Sequence, residues 1–372
     1  MKKTTIIRFL KITALALPVL LFVLFSQEYL FYYTDHNAER VRRFYQEEEN
    51  SLDVVFLGAS DVFSGFAPAL AYDEYGFTSY MYAIDANPGA LYKYQLKEVL
   101  RTQRPRQIFV EINGFLYDQP VEEERLSIMT DNIPLSFNKL EAIWRFKEED
   151  KLAGLFPFVV YHGDWEQGGG LIDRVEWRLS TSRNPSLLKG MVTCTTVDKR
   201  LPEEIEFTAE QQAAMKLAED TLTDFLNFCQ SENLDNIVFI RFPHKNADKH
   251  KALVDQIENH VQQYGYPLLN LEAHKEDMGL EVLQDYYNSE HLNVYGQKKL
   301  TSYLGQYITE KLGVTPVEQS EKNRLHWENC VEYYRGFYDY AQEKIEAGIE
   351  EWPCEDTLTF SVFLEWMDRR PA

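Results

Sequence analysis

The chain is predicted to be an α/β protein, with a five-stranded parallel sheet covered by helices on both faces. Three features point there. Five short apolar runs recur along the body, each the length of a buried strand. Segments of helical periodicity separate most of them, the alternation that a parallel sheet requires. Hydrophobic residues make up 45% and aromatics 14% of the sequence, enough for a packed core and too much for disorder.

The first element precedes the sheet. Lys2, Lys3, Arg8 and Lys11 come before an apolar run at 12–25, and Tyr29, Phe31, Tyr32 and Tyr33 continue it. Positive charge before such a run keeps the N-terminus cytoplasmic, and aromatics suit the far interface. A cleaved signal peptide is the rival reading. Ser26-Gln27-Glu28 follows the run, however, where a small-residue cleavage site would stand. With the aromatics the segment reaches the length of a spanning helix. The expectation is a single-pass anchor at 1–33, a linker at 34–51, and a body outside the cytoplasm.

The five strands are expected at 53–58 (DVVFLG), 79–84, 107–112 (QIFVEI), 236–241 (NIVFIR) and 267–271. Leu91, Tyr94, Leu96, Val99 and Leu100 mark an apolar helical stripe after the second strand. A helix capped by Thr208 is expected to run to Phe228, and another spans 247–264. Two segments break the rhythm. Residues 114–207, with Gly168-Gly169-Gly170, separate strands three and four, a length typical of a functional insertion or lid. The tail, 315–372, carries Trp327, Tyr333, Tyr334, Phe337 and Tyr340 at spacings that cover an existing surface. The body therefore occupies 52–314.

A net charge of -21 argues against nucleic acid, whose phosphates need a basic face, and against adhesion of the body to anionic lipid. The four cysteines show no metal or redox spacing. Cys330 and Cys354 flank one helical stretch; a bond between them needs a Cα separation that sequence does not give. His244 and His250 are spaced too loosely for a metal pair, and no P-loop, HExxH or G-x-G-x-x-G is present.

Ser60 lies two residues beyond the first strand, in Leu57-Gly58-Ala59-Ser60-Asp61. Open parallel sheets bind ligands outside the carboxyl ends of their strands. A serine there either caps the next helix or projects a hydroxyl into a crevice. His291, between the fifth strand and the last sheet-covering helix, stands at the same edge. It is either structural or the base that a serine nucleophile needs.

Ser60 after strand one, Gly89 after strand two, Asn113 after strand three and His291 near the end follow the block order of the SGNH/GDSL hydrolases. The sequence resembles that family across most of 52–312, although Gly-Ala-Ser replaces Gly-Asp-Ser. The resemblance implies a flavodoxin-like three-layer α/β/α sandwich with strand order 2-1-3-4-5. It implies Ser60 as nucleophile and His291 as base, and an oxyanion hole made by the N–H groups of Ser60 and Gly89 with the Asn113 amide. It implies no cofactor and no metal. Without it, Gly89 and Asn113 read as turn residues. One position departs: the family's D-x-x-H aspartate is Asn288 here. An amide orients the imidazole but does not stabilise its cation by charge. Asp285 and Glu290 are the carboxylates at hand, neither at the family's spacing.

The anchor, the insertion, and segments 131–136 (DNIPLS) and 157–165 (PFVVYHGDW) resemble membrane-anchored SGNH proteins related to D-alanyl-lipoteichoic-acid transfer and alginate O-acetylation. The function this implies is extracytoplasmic serine O-acyl esterase or O-acyltransferase chemistry on a cell-envelope polysaccharide or teichoic acid. The alternative is a non-catalytic accessory that holds a glycan or a membrane-bound O-acyltransferase partner. His162 either lines a glycan-facing cleft or sits satisfied in an aromatic lid.

Overall fold

The computed structural model describes residues 3–147, 150–161, 170–202, 216–246, 250–352 and 358–369. Its centre is a sheet of β1 (Val54–Gly58), β2 (Ser79–Ala83), β3 (Gln107–Glu111), β4 (Ile237–Arg241) and β5 (Leu268–Asn270), all parallel, in the order β2-β1-β3-β4-β5. This is the expected order. Val54 stands opposite Ser79 on one side and Gln107 on the other. Alternation along the pleat divides the core. Val55, Leu57, Tyr80, Tyr82, Ile108 and Val110 enter one cluster, while Val54, Phe56, Met81, Phe109 and Val238 enter the other. Strands buried on both faces read as continuous apolar runs, which is why they were visible in the sequence. β5 is shorter than the 267–271 expected. Pro267 has no N–H to give, and only its carbonyl joins the ladder, accepting from Phe239.

Helices cover both clusters. α3 (Ser60–Gly65) and α4 (Pro68–Tyr75) connect β1 to β2, and α5 (Gly89–Thr102) connects β2 to β3. The insertion carries α6 (Glu123–Thr130), α7 (Phe137–Phe146), α8 (Lys151–Leu155), α9 (Pro157–Tyr161) and α10 (Leu171–Thr181). Its last part returns along the sheet edge, where the Lys189 carbonyl accepts from the Met81 N–H on β2. α11 (Glu219–Ser231) precedes β4, α12 (Lys251–Gln263) precedes β5, and α13 (Val294–Gln306) follows the site loop.

The helix expected to run unbroken to Phe228 is instead α11, which begins at Glu219. Thr208 lies outside the described residues. Residues 216–218 are not helical, and they pair with the loop after β3: Ala218 donates to the Phe115 carbonyl, and Lys216 accepts from the Asp118 N–H. Glu219 and Asp220 then open the helix, where acids complement its dipole. The tail forms α14 (Glu321–Ala347), which buries Trp327, Tyr334, Phe337 and Tyr340, and α15 (Leu358–Asp368). Cys194, Cys229 and Cys330 are buried, and Cys354 lies outside the described residues.

At the N-terminus, α1 (Lys3–Tyr29) contains a stretch, Lys11–Tyr29, of mean hydropathy 1.6, long and apolar enough to cross a membrane. Residues 34–51, expected as a linker, are built into the body. Asp35 caps α2 (His36–Phe44), whose Ala38, Val41 and Phe44 are buried beside β2. Beyond it, Glu47 accepts two bonds from the Lys189 ammonium, at 2.9 and 2.7 Å, and neither side chain has solvent exposure. The ammonium also sits 4.4 Å from the Trp327 ring centre. Removing one member strands a buried charge. Glu47→Ala should therefore lower unfolding free energy by about 3–5 kcal/mol in denaturant titrations. Adding Lys189→Met should recover much of that loss. Equal stability of Glu47→Ala and the parent would mean the segment is a linker after all.

Candidate active site

Ser60 and His291 meet at the carboxyl edge of the sheet. β1 ends at Gly58, where a Cβ would lie 2.4 Å from the Glu111 Cβ on β3 and 2.6 Å from Val62. Only glycine allows the chain to turn there and begin α3 with Ser60. His291 belongs to the loop after β5. That loop is closed by the Tyr286–Leu292 bridge and by the Tyr287 N–H donating to the His291 carbonyl. The imidazole stacks on the Tyr287 ring, 5.3 Å between centres and 8° from parallel. Its Nε2 lies 2.8 Å from Ser60 Oγ.

Asn288 sets the tautomer. Its Oδ1 accepts from the backbone N–H of Glu290 at 2.9 Å and of His291 at 2.8 Å. That identifies the atom as the amide oxygen, an acceptor only. His291 Nδ1, 3.1 Å from it, must therefore carry the proton. Nε2 is left with a lone pair, and Ser60 donates to it. Burial is the main cause that lowers the His291 pKa below the usual 6.5, partly opposed by the Asp61 carboxylate. The imidazole is thus a neutral acceptor at neutral pH, as a general base must be.

A second layer of polar groups lies against this dyad. The Asp61 carboxylate accepts from His244 Nε2 at 2.7 Å and from the Asn113 amide at 2.5 Å, and its other oxygen is 3.4 Å from His291 Nε2. Arg241, at the end of β4, donates to Asn113 Oδ1 and lies 3.3 Å from His244 Nδ1. Although burial opposes it, the surrounding His244, His291 and Arg241 hold Asp61 well below the ordinary carboxylate range. Glu111, on β3 beneath the site, goes the other way. Burial first, and the nearby Asp61 second, push its carboxyl up to about 8. It accepts from the N–H groups of Asn113 at 2.6 Å and Ala59 at 3.4 Å, tying together the loops after β1 and β3.

These groups open onto a cleft of about 240 Å³ lined by Ser60, Ala86, Asn113, Tyr117, Arg241 and His250, among others. Asn113 lines the cleft with Ser60. One amide N–H goes to Asp61, and the nitrogen carries a second. Gly89 is not part of the cleft lining. It opens α5, packed so closely on the next loop that a Cβ would lie 2.7 Å from the Gly114 carbonyl. Ala86 lines the cleft instead. Its φ of +45° is a left-handed conformation that costs an alanine of order 1 kcal/mol and is typical of active-site turns. Asp285 is brought to Lys299, not to His291: its buried carboxylate accepts from Lys299 Nζ at 2.8 Å and from the Glu281 N–H at 2.6 Å. Glu290 lines the cleft beside the dyad. His162 lies outside the described residues.

Asp61, His244, Arg241 and Ala86 are the site residues that sequence reasoning missed. For Asp61 the signal was present, an acid directly after the serine. His244 and Arg241 come from β4 and its loop, and nothing in their spacing points to Ser60. Comparison with family models and with curated proteins finds no match for this chain.

Proposed function

We propose that this chain is a membrane-anchored serine O-acyl esterase or O-acyltransferase of the SGNH/GDSL type, working on a cell-envelope polysaccharide or teichoic acid. The observation that carries the reading is the 2.8 Å approach of Ser60 Oγ to a His291 Nε2 whose tautomer is fixed for proton acceptance. The parallel sheet with order 2-1-3-4-5 and the site at its carboxyl edge support the family resemblance.

Ser60 Oγ attacks the acyl carbonyl carbon while its proton passes to His291 Nε2. The oxyanion is held by the Asn113 amide and by backbone N–H groups around Ser60 and Ala86. As the C–O bond to the leaving alkoxide breaks, His291 returns the proton to that oxygen, leaving acyl-Ser60. Water or a sugar hydroxyl then gives a proton to His291 and attacks the acyl carbon, and His291 passes that proton to Ser60 Oγ as the bond between Oγ and the acyl carbon breaks. Asn288 orients the imidazole throughout, and the Asp61 carboxylate supplies negative charge near the transient imidazolium. The polar lining, with Tyr117, Gln119 and His250, suits a hydroxyl-rich acceptor.

Placement supports an envelope substrate. Lys2, Lys3, Arg8 and Lys11, ahead of the apolar stretch of α1, put its N-terminus inside and the body outside. His36 Nε2 is 2.9 Å from Asp85, the neighbour of cleft-lining Ala86. From Tyr29, the end of α1, to His36 the chain reaches at most about 25 Å. The cleft is thus tied close to the membrane, within reach of a membrane-linked polymer or a membrane-bound O-acyltransferase that supplies acyl groups. Incubating the full-length protein in detergent with a fluorophosphonate probe tests the reading. Labelling at Ser60 that is lost in His291→Ala is expected. An unlabelled Ser60 in folded protein would leave the accessory, ligand-holding role.

A further inference from the structure

The insertion presents an apolar surface that the fold leaves uncovered. Leu135, Phe137, Trp144, Val159, Val160 and Ile172 are all exposed, Phe137 at 92% and Trp144 at 64%. Scattered apolar side chains on a surface are ordinary, but these sit on elements that are linked to the anchor through successive helix contacts. α9 and α10 contact α1, α8 contacts α9, and α7 contacts α8. Leu135 lies close to where the chain leaves the anchor, since the Tyr33 N–H donates to Asp131 and Asn132 donates to the Tyr33 carbonyl.

The anchor is also drawn into the body at its outer end. Ser26, Phe31 and Tyr32 are buried, and Tyr32 stacks on Trp177 of α10. The uncovered apolar part, residues 12–25, is about 21 Å long at 1.5 Å per residue. A bilayer core is about 30 Å thick. The apolar flank of the body therefore comes down to the depth where α1 disappears into it. The chemistry of the flank fits that depth. Trp and Phe are interfacial residues, and the Lys151 ammonium lies 4.9 Å from the Trp144 ring centre and donates to the Trp144 carbonyl at 2.8 Å.

We propose that this face of the insertion, from Leu135 through α7, α9 and the start of α10, is seated in the outer headgroup region of the bilayer that α1 crosses. The protein is then held by a spanning helix and a surface-lying flank together. The inference rests on α1 as a membrane span and is independent of the chemistry at Ser60.

Spin labels test it in the full chain, reconstituted in nanodiscs of phosphatidylcholine and phosphatidylglycerol. Phe137→Cys, Trp144→Cys and a control, Gln256→Cys on α12, are labelled in a Cys354→Ser background; the thiols at 194, 229 and 330 are buried. Power saturation then compares relaxation by oxygen, which concentrates in lipid, with relaxation by a water-soluble nickel chelate. Labels at 137 and 144 should favour oxygen several-fold over the label at 256. The same nickel accessibility at all three positions overturns the proposal. So does shielding of 137 and 144 from both reagents, which would mean that protein covers the face.

Discussion

Ser60→Ala and His291→Ala each lower the turnover of an aryl acetate by a factor on the order of 10⁴ or more, and the double variant is little worse than either alone. A nucleophile and its base act as one unit, so their losses do not add. Ser60 is only partly buried and His291 is held by backbone and stacking contacts, so Ser60→Ala should unfold within about 0.5 kcal/mol of the parent. Steady-state rates with chemical denaturation of the same samples separate the effects. If the two single variants keep most of the activity while folding normally, the reactive group lies elsewhere.

Asn288→Asp should raise the same turnover tenfold or more, about 1.4 kcal/mol of barrier. The position is already built for a carboxylate. Its Oδ1 receives two backbone N–H groups in addition to the imidazole, and such bonds keep an acid ionised. The imidazolium formed during attack would then face a full negative charge at Nδ1. In chymotrypsin-like proteases the reverse change costs about 10⁴, largely because the amide selects the wrong tautomer. Here the backbone donors keep the oxygen toward His291, and Asp61 supplies charge from the other side, so a smaller gain is expected. The pH profile carries the sign. Burial puts the His291 pKa below 6.5, so activity in the parent should persist into that range and fall as the base is protonated. An added carboxylate favours the imidazolium and should move this acidic limb of kcat/KM to higher pH. An unchanged rate and limb would mean that Asp61 already supplies all the charge the base can use.

The sheet was legible because a strand buried on both faces leaves an uninterrupted apolar run, and five such runs are present. Ser60 and His291 could be placed at the carboxyl edge because each follows a recognisable strand, whereas Asn113 and Asn288 were singled out only through the family resemblance. What stayed hidden depends on approach in space. Arg241 closes a strand, and only the β3–β4 pairing shows that it reaches Asn113. Asp285 looked like a reserve acid for His291, yet Lys299, one helix further on, takes it. Residues 34–51 read as a polar connector because the partner of Glu47, Lys189, is far away in sequence. Gly89 opens α5, and Ala86, a turn residue without the glycine that usually marks one, lines the cleft three residues before it.

The acyl-enzyme tests the central claim most directly. The full-length protein is mixed with an activated acetyl ester, quenched in acid within seconds, digested, and mapped by mass spectrometry. The account predicts acetyl on the peptide carrying Ser60, absent in His291→Ala and turning over faster in Asn288→Asp. Acetyl on another side chain, or none at Ser60 in protein that hydrolyses the ester, would contradict it.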